Sequence, residues 1–289
     1  MSKLRIALAG MADLSEPDHD EAPLREALER AGCETHVVAW DDPDPARRSL
    51  AEFDACVLRA TWNYFEDPDG FLDWLDDAER ACRLHNSAAA VRWNLHKRYL
   101  LQLAASGVPI IPTVCLEADE GASLHALLDE RGWDDVVVKP AVSAGSFLTR
   151  RFGAHELREG QEFLDEGLAE RDMLVQPFVE EVDDGGELAL VWIDGELTHG
   201  VEKAPRFDGA DERVTRRPSL EPRHRDFAEA CLAAAGVDPL YARVDVIERA
   251  DGELWLSELE LIEPSLFFPH SPEALERFSS ALLRRLRGA

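Results

Sequence analysis

The tightest constraint on the fold lies in the first ninety residues, where short apolar runs alternate with amphipathic ones. LRIALAG (4–10), THVVAW (35–40) and FDACVLRA (53–60) read as strands. PLREALERAG (23–32), closing on Gly32, and a stretch around 69–82 read as helices. A strand–helix–strand order favours parallel pairing, because each helix carries the chain back across the sheet. An α/β domain is therefore expected over residues 1–92. The Gly10 turn lacks the further glycines of a dinucleotide fingerprint, so no cofactor is assigned to it.

Beyond residue 92 the pattern becomes mixed. A helix is expected over 93–106, ending at Gly107, followed by a strand punctuated by Pro109 and Pro112. A helix (122–131), the strand DVVVKP (135–140), the small-residue turn AVSAGS (141–146) and the strand FLTRRF (147–152) come next. After the helix 154–169 and the strand MLVQPFV (173–179), ELALVWIDGELTHGV (187–201) reads as a hairpin turning on Asp194-Gly195. A charged loop (203–221), a helix (222–236), two strands and a final helix (272–287) complete the chain. Two α+β lobes, 93–178 and 179–289, are expected to follow the α/β domain.

Charge narrows the partners. With 58 acidic against 31 basic side chains, the net charge of −27 opposes a surface that grips nucleic acid or an anionic membrane. No stretch approaches the about 20 apolar residues of a spanning helix. The opening MSKLRIALAG is apolar too briefly for a signal peptide and meets Asp13 and Glu16 at once. Five cysteines, odd in number and without a C-x-x-C pair, fit a reduced cytoplasmic chain and neither a disulfide framework nor a zinc site. Any polyanionic ligand must then meet positive charge concentrated locally. Only four lysines (3, 97, 139 and 203) stand among 27 arginines, and the three internal ones suggest sites that need a compact ammonium.

The segment YARVDVIERADGELWLSELELIEPS (241–265) carries the most chemistry. Period-two alternation puts Arg243 and Asp245 on one face of the first strand, and Leu254, Leu256, Glu258, Glu260 and Ile262 on one face of the second. A two-residue turn at Asp251-Gly252 sets Asp245 opposite Glu258 and Arg243 opposite Glu260. A solvated face explains many alternating carboxylates. Here three leucine or isoleucine side chains share the carboxylates' face, and three hard oxygen donors suit Mg²⁺ held with substrate phosphates. Lys139 closes VVVKP just before Ala-Val-Ser-Ala-Gly-Ser, where small residues let backbone N–H groups approach an anion. A plain strand-end lysine is the alternative there, and a surface helix lysine is the alternative for Lys97 in WNLHKRYLLQL.

Taken in order, two lysines, a small-residue loop and a later carboxylate hairpin resemble the ATP-grasp superfamily. Its members hold ATP between two α+β lobes and join a carboxylate to an amine, thiol or similar nucleophile, releasing ADP. The N-terminal stretch is similar to the α/β domain preceding those lobes in glutathione synthetase and D-alanine–D-alanine ligase. More narrowly, LRATWNYF (58–65), VRWNLHKRYL (91–100), VVKPAVSAGS (137–146), VQPFVEEV (175–182), GELALV (186–191) and ELELIEPSLFF (258–268) resemble the D-cycloserine-forming O-ureido-D-serine cyclo-ligases, enzymes of antibiotic biosynthesis.

The resemblance implies a role for each matching residue. Lys97, Lys139 and Lys203 meet ATP, with Ser143, Ala144, Gly145 and Ser146 covering its phosphates. Gln176, Pro177, Phe178 and Val179 form the strand that reads adenine, and Glu187 holds the ribose. Asp245, Glu258 and Glu260 coordinate Mg²⁺, two ions by family precedent, with Mn²⁺ as a substitute. Arg213, in ADERVT, matches the arginine of G-D-F-R-V-Q, although Glu212 and Thr215 depart from that pattern on the substrate side. It would serve the γ-phosphate and acyl phosphate with Lys139 and Arg243, unless Arg243 merely pairs with Glu260. Arg59, Thr61, Trp62 and Tyr64, at the carboxyl edge of a parallel strand, are candidates for the substrate, or else core.

The implied protein is a cytoplasmic ligase for small amino-acid-like substrates, dimeric or tetrameric like its relatives. A kinase on the same scaffold and a nucleotide-binding regulatory module are the alternatives. His96 and His199 are read as structural.

Overall fold

The computed structural model describes residues 3–14, 16–204 and 213–288. Part of the charged loop expected at 203–221, Arg206 and Glu212 included, lies outside the described residues.

The N-terminal sheet is built from β1 (Arg5–Gly10), β2 (Glu34–Ala39), β3 (Ala55–Ala60) and β4 (Arg83–His85), with α1 (Glu21–Arg30) and α2 (Pro68–Ala81) as crossovers. Its order is β2-β1-β3-β4 and every pair is parallel, as the alternation predicts. Strands β1 and β3 are apolar throughout because both faces are covered. One face packs with α2; the other shares a core with strands and a helix from the far end of the chain.

The helix expected at 93–106 is two helices, α3 (Ala88–Leu95) and α4 (Tyr99–Ala105). His96 is extended (φ −101°, ψ 118°), and the Lys97 N–H donates to Ala141 O at 2.7 Å instead of continuing the helix. The division expected at residue 92 falls inside α3. Next comes a sheet of β5 (Val114–Leu116), β6 (Val136–Pro140), β7 (Arg150–Phe152) and β8 (Met173–Pro177), ordered β5-β8-β6-β7 and antiparallel. Helices α5 (Leu124–Arg131) and α6 (Leu157–Leu168) cover it. The strand expected from residue 147 begins only at Arg150. Positive φ at Gly145, Ser146 and Leu148 keeps the preceding residues in turns.

After α7 (Glu181–Gly185) the third sheet collects β9 (Glu187–Ile193), β10 (Glu196–Lys203), β11 (Val214–Arg216), β12 (Tyr241–Glu248) and β13 (Leu254–Glu260) in the order β11-β10-β9-β12-β13, all antiparallel. Asp194 and Gly195 both take positive φ at the β9–β10 turn, as a two-residue hairpin requires. Helices α8 (Pro222–Ala235) and α9 (Pro272–Arg287) pack on this sheet, and α9 also meets the N-terminal sheet, so one core joins the two ends of the chain.

Strand β13 is an edge, and its open side is covered by side chains. Asn94 donates to Leu259 O (2.7 Å) and accepts from Leu261 N–H (2.8 Å), while Leu259 N–H donates to the Tyr99 hydroxyl (3.0 Å). The segment between Pro109 and Pro112 forms only a parallel bridge, Ile110 to Leu256, where a strand was expected. Among the described residues no helix is long and apolar enough to cross a membrane.

Candidate active site

The three sheets enclose a cleft of about 1040 Å³. The β12–β13 hairpin supplies its floor. Arg243 lies opposite Glu260 and Asp245 opposite Glu258, the predicted partners. The expected two-residue turn does not produce this register. Arg249 N–H bonds to Glu253 O (2.9 Å), leaving a three-residue loop with Gly252 at φ 91°. That would offset the pairing by one residue, as it does for Val246 opposite Leu256. A bulge at Ser257 restores it.

The bulge also reverses the faces. Leu254 and Leu256 belong to the core with Leu259 and Leu261, so they do not share the carboxylates' face as expected. Ser257, Glu258 and Glu260 face the cleft together, and the Ser257 hydroxyl donates to Glu187. Sequence periodicity has no means of finding Ser257, because a bulge changes phase without changing composition.

Each carboxylate on the floor is matched by a cation from a different element. Lys97, held at the break between α3 and α4, pairs with Glu258 at 2.7 Å and donates to Ser143 O at 2.7 Å. At the end of β10, Lys203 lies 2.6 Å from Asp245 and 3.1 Å from Glu187. Arg243 contacts Asp245 (2.9 Å) and Glu260. Asp245 is 1% exposed and sits beneath Lys203 and Arg243, not on the cleft surface. Lys139 lines the cleft and forms no ion pair among the described residues.

These pairings set the protonation states. Burial pushes the Glu260 carboxyl up to about 8, with Asp245, Glu258 and Glu263 adding to it against the pull of Arg243. Glu263 rises to about 7, again chiefly through burial. At Glu258 burial is outweighed by Lys97 and Lys139, and at Asp245 by Arg243 and Lys203, so both stay ionised below the usual range. Burial holds the Lys139 ammonium below the ordinary lysine value, only partly offset by Glu258 and Glu187. Buried carboxylates offering oxygen donors alone are the chemistry of a hard-cation site, and a divalent ion would favour the ionised form that burial and the neighbouring carboxylates oppose at Glu260.

One side of the cleft is apolar: Val179, Ile111 and Ile247 form a cluster flanked by Val182 and Trp255. Of the expected adenine-reading strand, Gln176 is buried and donates to Thr113 (2.9 Å), while the Phe178 N–H is taken by Asp135 O (2.8 Å). Pro177, Phe178 and Val179 all line the cleft. So do Ser143, Ala144, Gly145 and Ser146. The Ser143 carbonyl accepts from both Lys97 and the Tyr64 hydroxyl (3.2 Å).

The substrate candidates separate. Trp62 and Tyr64 line the cleft; Arg59 and Thr61 do not. Arg59 is 2% exposed and is held by Asp20 (3.1 Å), Asp18 (3.6 Å) and Pro264 O (3.0 Å). Its partner Asp20 accepts backbone N–H bonds from Leu266, Phe267 and Phe268, so the pair ties the loop after β13 to the N-terminal domain. Arg213 is exposed and lies off the cleft surface, touching it only through Val214 beside it; its carbonyl accepts from Ala204 N–H (2.9 Å). His96 accepts from Arg98 N–H and meets Asp172 (3.0 Å), and buried His199 meets the Thr198 hydroxyl (3.0 Å). Glu263 lines the cleft although no sequence pattern singles it out, since it falls out of phase with Glu258 and Glu260.

Comparison with known proteins fits this geometry. The family model for the N-terminal domain of D-cycloserine synthetase DcsG matches residues 6–86. The cycloserine biosynthesis protein DcsG of Streptomyces lavendulae is 33% identical over 288 residues, covering 93% of this chain and 95% of that protein. A crystal structure of D-cycloserine synthetase DcsG superposes with a TM-score of 0.89 at 32% identity, covering 98% of this chain and 99% of the other. The D-alanine–D-alanine ligase of Bacillus anthracis complexed with ATP shares the fold, with a TM-score of 0.72 at 19% identity, covering 99% of this chain and 98% of the other. Similarity to DcsG along nearly the whole of both chains carries the conclusion: this chain belongs to the D-cycloserine synthetase family of ADP-forming ATP-grasp ligases.

Proposed function

We propose that the protein uses Mg²⁺ and ATP to activate the carboxylate of a small amino-acid-like substrate as an acyl phosphate. An amine-type nitrogen of the same molecule then displaces the phosphate, as expected of a D-cycloserine-type cyclo-ligase. The observation that carries this reading is the division of one cleft into Lys97, Lys139, Lys203 and Arg243 on one side and Glu258 and Glu260 on its floor. Such a site meets a polyphosphate and a divalent cation together, and needs no Ser–His or Cys–His pair.

In this reading the apolar slot of Ile111, Val179 and Ile247 takes adenine and Glu187 takes the ribose. Lys97 and Lys139 hold the phosphates beneath Ser143–Ser146, with Arg243, and Arg213 from the loop beyond Val214, offsetting charge during transfer. Glu258 and Glu260 would hold the metal, with Asp245, now paired with Lys203, as the further oxygen donor. Two Mg²⁺ ions are expected, with Mn²⁺ able to replace them. Such a metal would offset the charge of the phosphates during transfer. Trp62 and Tyr64 face the substrate.

The test is release of ADP and phosphate with Mg-ATP across small D- and L-amino acids, O-ureido-D-serine included, with and without hydroxylamine. Hydroxamate formed from one acid is the expected result and identifies the substrate class. ADP without hydroxamate or free phosphate identifies a kinase and overturns the reading.

A further inference from the structure

Glu263 faces the cleft at 7% exposure, yet its carboxylate has no hydrogen bond or ion pair among the described residues. Asp245, Glu258 and Glu260 each hold a cation at close range. A buried carboxylate without a partner is costly, and folds normally supply one. The backbone that presents Glu263 is fixed on both sides. Ile262 before it packs into the core of the N-terminal sheet, and the carbonyl of Pro264 after it is pinned by Arg59. The side chain is thus presented where the carboxylate floor meets the N-terminal wall that carries Trp62 and Tyr64. The lysines that suit phosphates rise from other elements: the α3–α4 break, β6 and β10.

We infer that Glu263 is the acceptor for the N–H of the attacking nitrogen, an assignment that rests on the ligase reading above. In that step the nitrogen lone pair forms a bond to the acyl carbon, the bond from that carbon to the phosphate oxygen breaks, and phosphate leaves with the electron pair. The proton leaving nitrogen passes to a Glu263 carboxylate oxygen. The groups around Glu263 suit the task. Arg243, Lys97 and Arg59 stand around it as counter-charges and Glu258 as a like charge. Glu260, Tyr64 and Tyr241 also feel its charge.

The experiment compares wild type, Glu263→Gln and Glu263→Asp with the acid that gives hydroxamate. Product formation and hydroxylamine-trapped hydroxamate are measured side by side, since hydroxylamine attacks acyl phosphates unaided. Glu263→Gln is expected to lose about 100-fold in product kcat while hydroxamate stays within about threefold, and Glu263→Asp to recover part of the loss. Product formation unchanged in Glu263→Gln overturns the assignment. Hydroxamate falling in step with product also overturns it, marking Glu263 as a metal or activation residue, and Mn²⁺ titration of the variant tells those two apart. Wild-type protein that forms neither hydroxamate nor product removes the ligase reading itself and this assignment with it, so the wild-type arm separates the two failures.

Discussion

The Lys203 ammonium lies 2.6 Å from Asp245 Oδ2, so a cation already occupies the most buried carboxylate of the floor. Burial alone would lower the Lys203 proton affinity, but Asp245 and Glu187 outweigh it and the ammonium is held more firmly than a free lysine's. Metal and ATP should therefore bind with positive coupling, because phosphates draw the ammonium away and free Asp245. An ATP analogue that is not hydrolysed should raise Mn²⁺ affinity about tenfold in wild type. In Lys203→Met, Mn²⁺ alone should bind more tightly than to wild type while the analogue binds more weakly. Equal Mn²⁺ affinity in both proteins would remove the competition.

Metal binding should release a proton at neutral pH. In the metal-free protein Glu260 keeps its proton up to about 8, and a metal accepts only the ionised form. The sign follows: affinity rises with pH until about 8 and then levels. Titration calorimetry at pH 7 in buffers of different ionisation enthalpy should report proton release on Mn²⁺ binding, diminished in Glu260→Gln. No dependence on buffer would mean that Glu260 is ionised before the metal arrives.

Arg59 tests stability against substrate contact. Its guanidinium is enclosed by Asp18, Asp20 and a backbone carbonyl, and Asp20 in turn caps three N–H groups of the loop after β13. Arg59→Met leaves two buried carboxylates without their counter-charge and should cost about 3–5 kcal/mol in urea denaturation. A variant as stable as wild type, with only a raised substrate KM, would return Arg59 to the substrate site.

The parallel N-terminal sheet, the Asp194-Gly195 hairpin and the opposition of Asp245 to Glu258 were legible because period and turn chemistry act locally. What the sequence concealed depends on contacts distant along the chain. The break at Lys97 exists because Ala141 O competes for its N–H. The Ser257 bulge is compensated by a longer turn, so two local departures cancel in the register while moving Leu254 and Leu256 into the core. The sequence leaves Arg59 open between substrate and core, because its strand ends where ligands bind while the carboxylates that enclose it come from the loop after β1. That Glu263 lacks a partner among the described residues cannot be read from the sequence, since it shows only when the surrounding groups are in place.

The loop proposed to cover the phosphates is fastened to the N-terminal domain by an aromatic contact. Phe147 stacks on Phe65 with ring centroids 4.4 Å apart and planes 29° from parallel, and the neighbouring Tyr64 hydroxyl donates to Ser143 O. Phe65 follows Trp62 and Tyr64 on the wall proposed to face substrate, so that wall and the proposed phosphate loop share one fastening. A stacked pair contributes about 0.5–1.5 kcal/mol beyond area burial. Phe147→Ala should therefore raise the KM for ATP a few-fold and increase ATP hydrolysis in the absence of ligation, since a loosened loop admits water to the activated phosphate. Phe147→Tyr should leave both close to wild type. Initial rates of ADP and ligation product, measured in parallel for the three proteins, decide the matter. An unchanged ratio of ADP to product in Phe147→Ala would show that the fastening holds the fold without guarding the reaction.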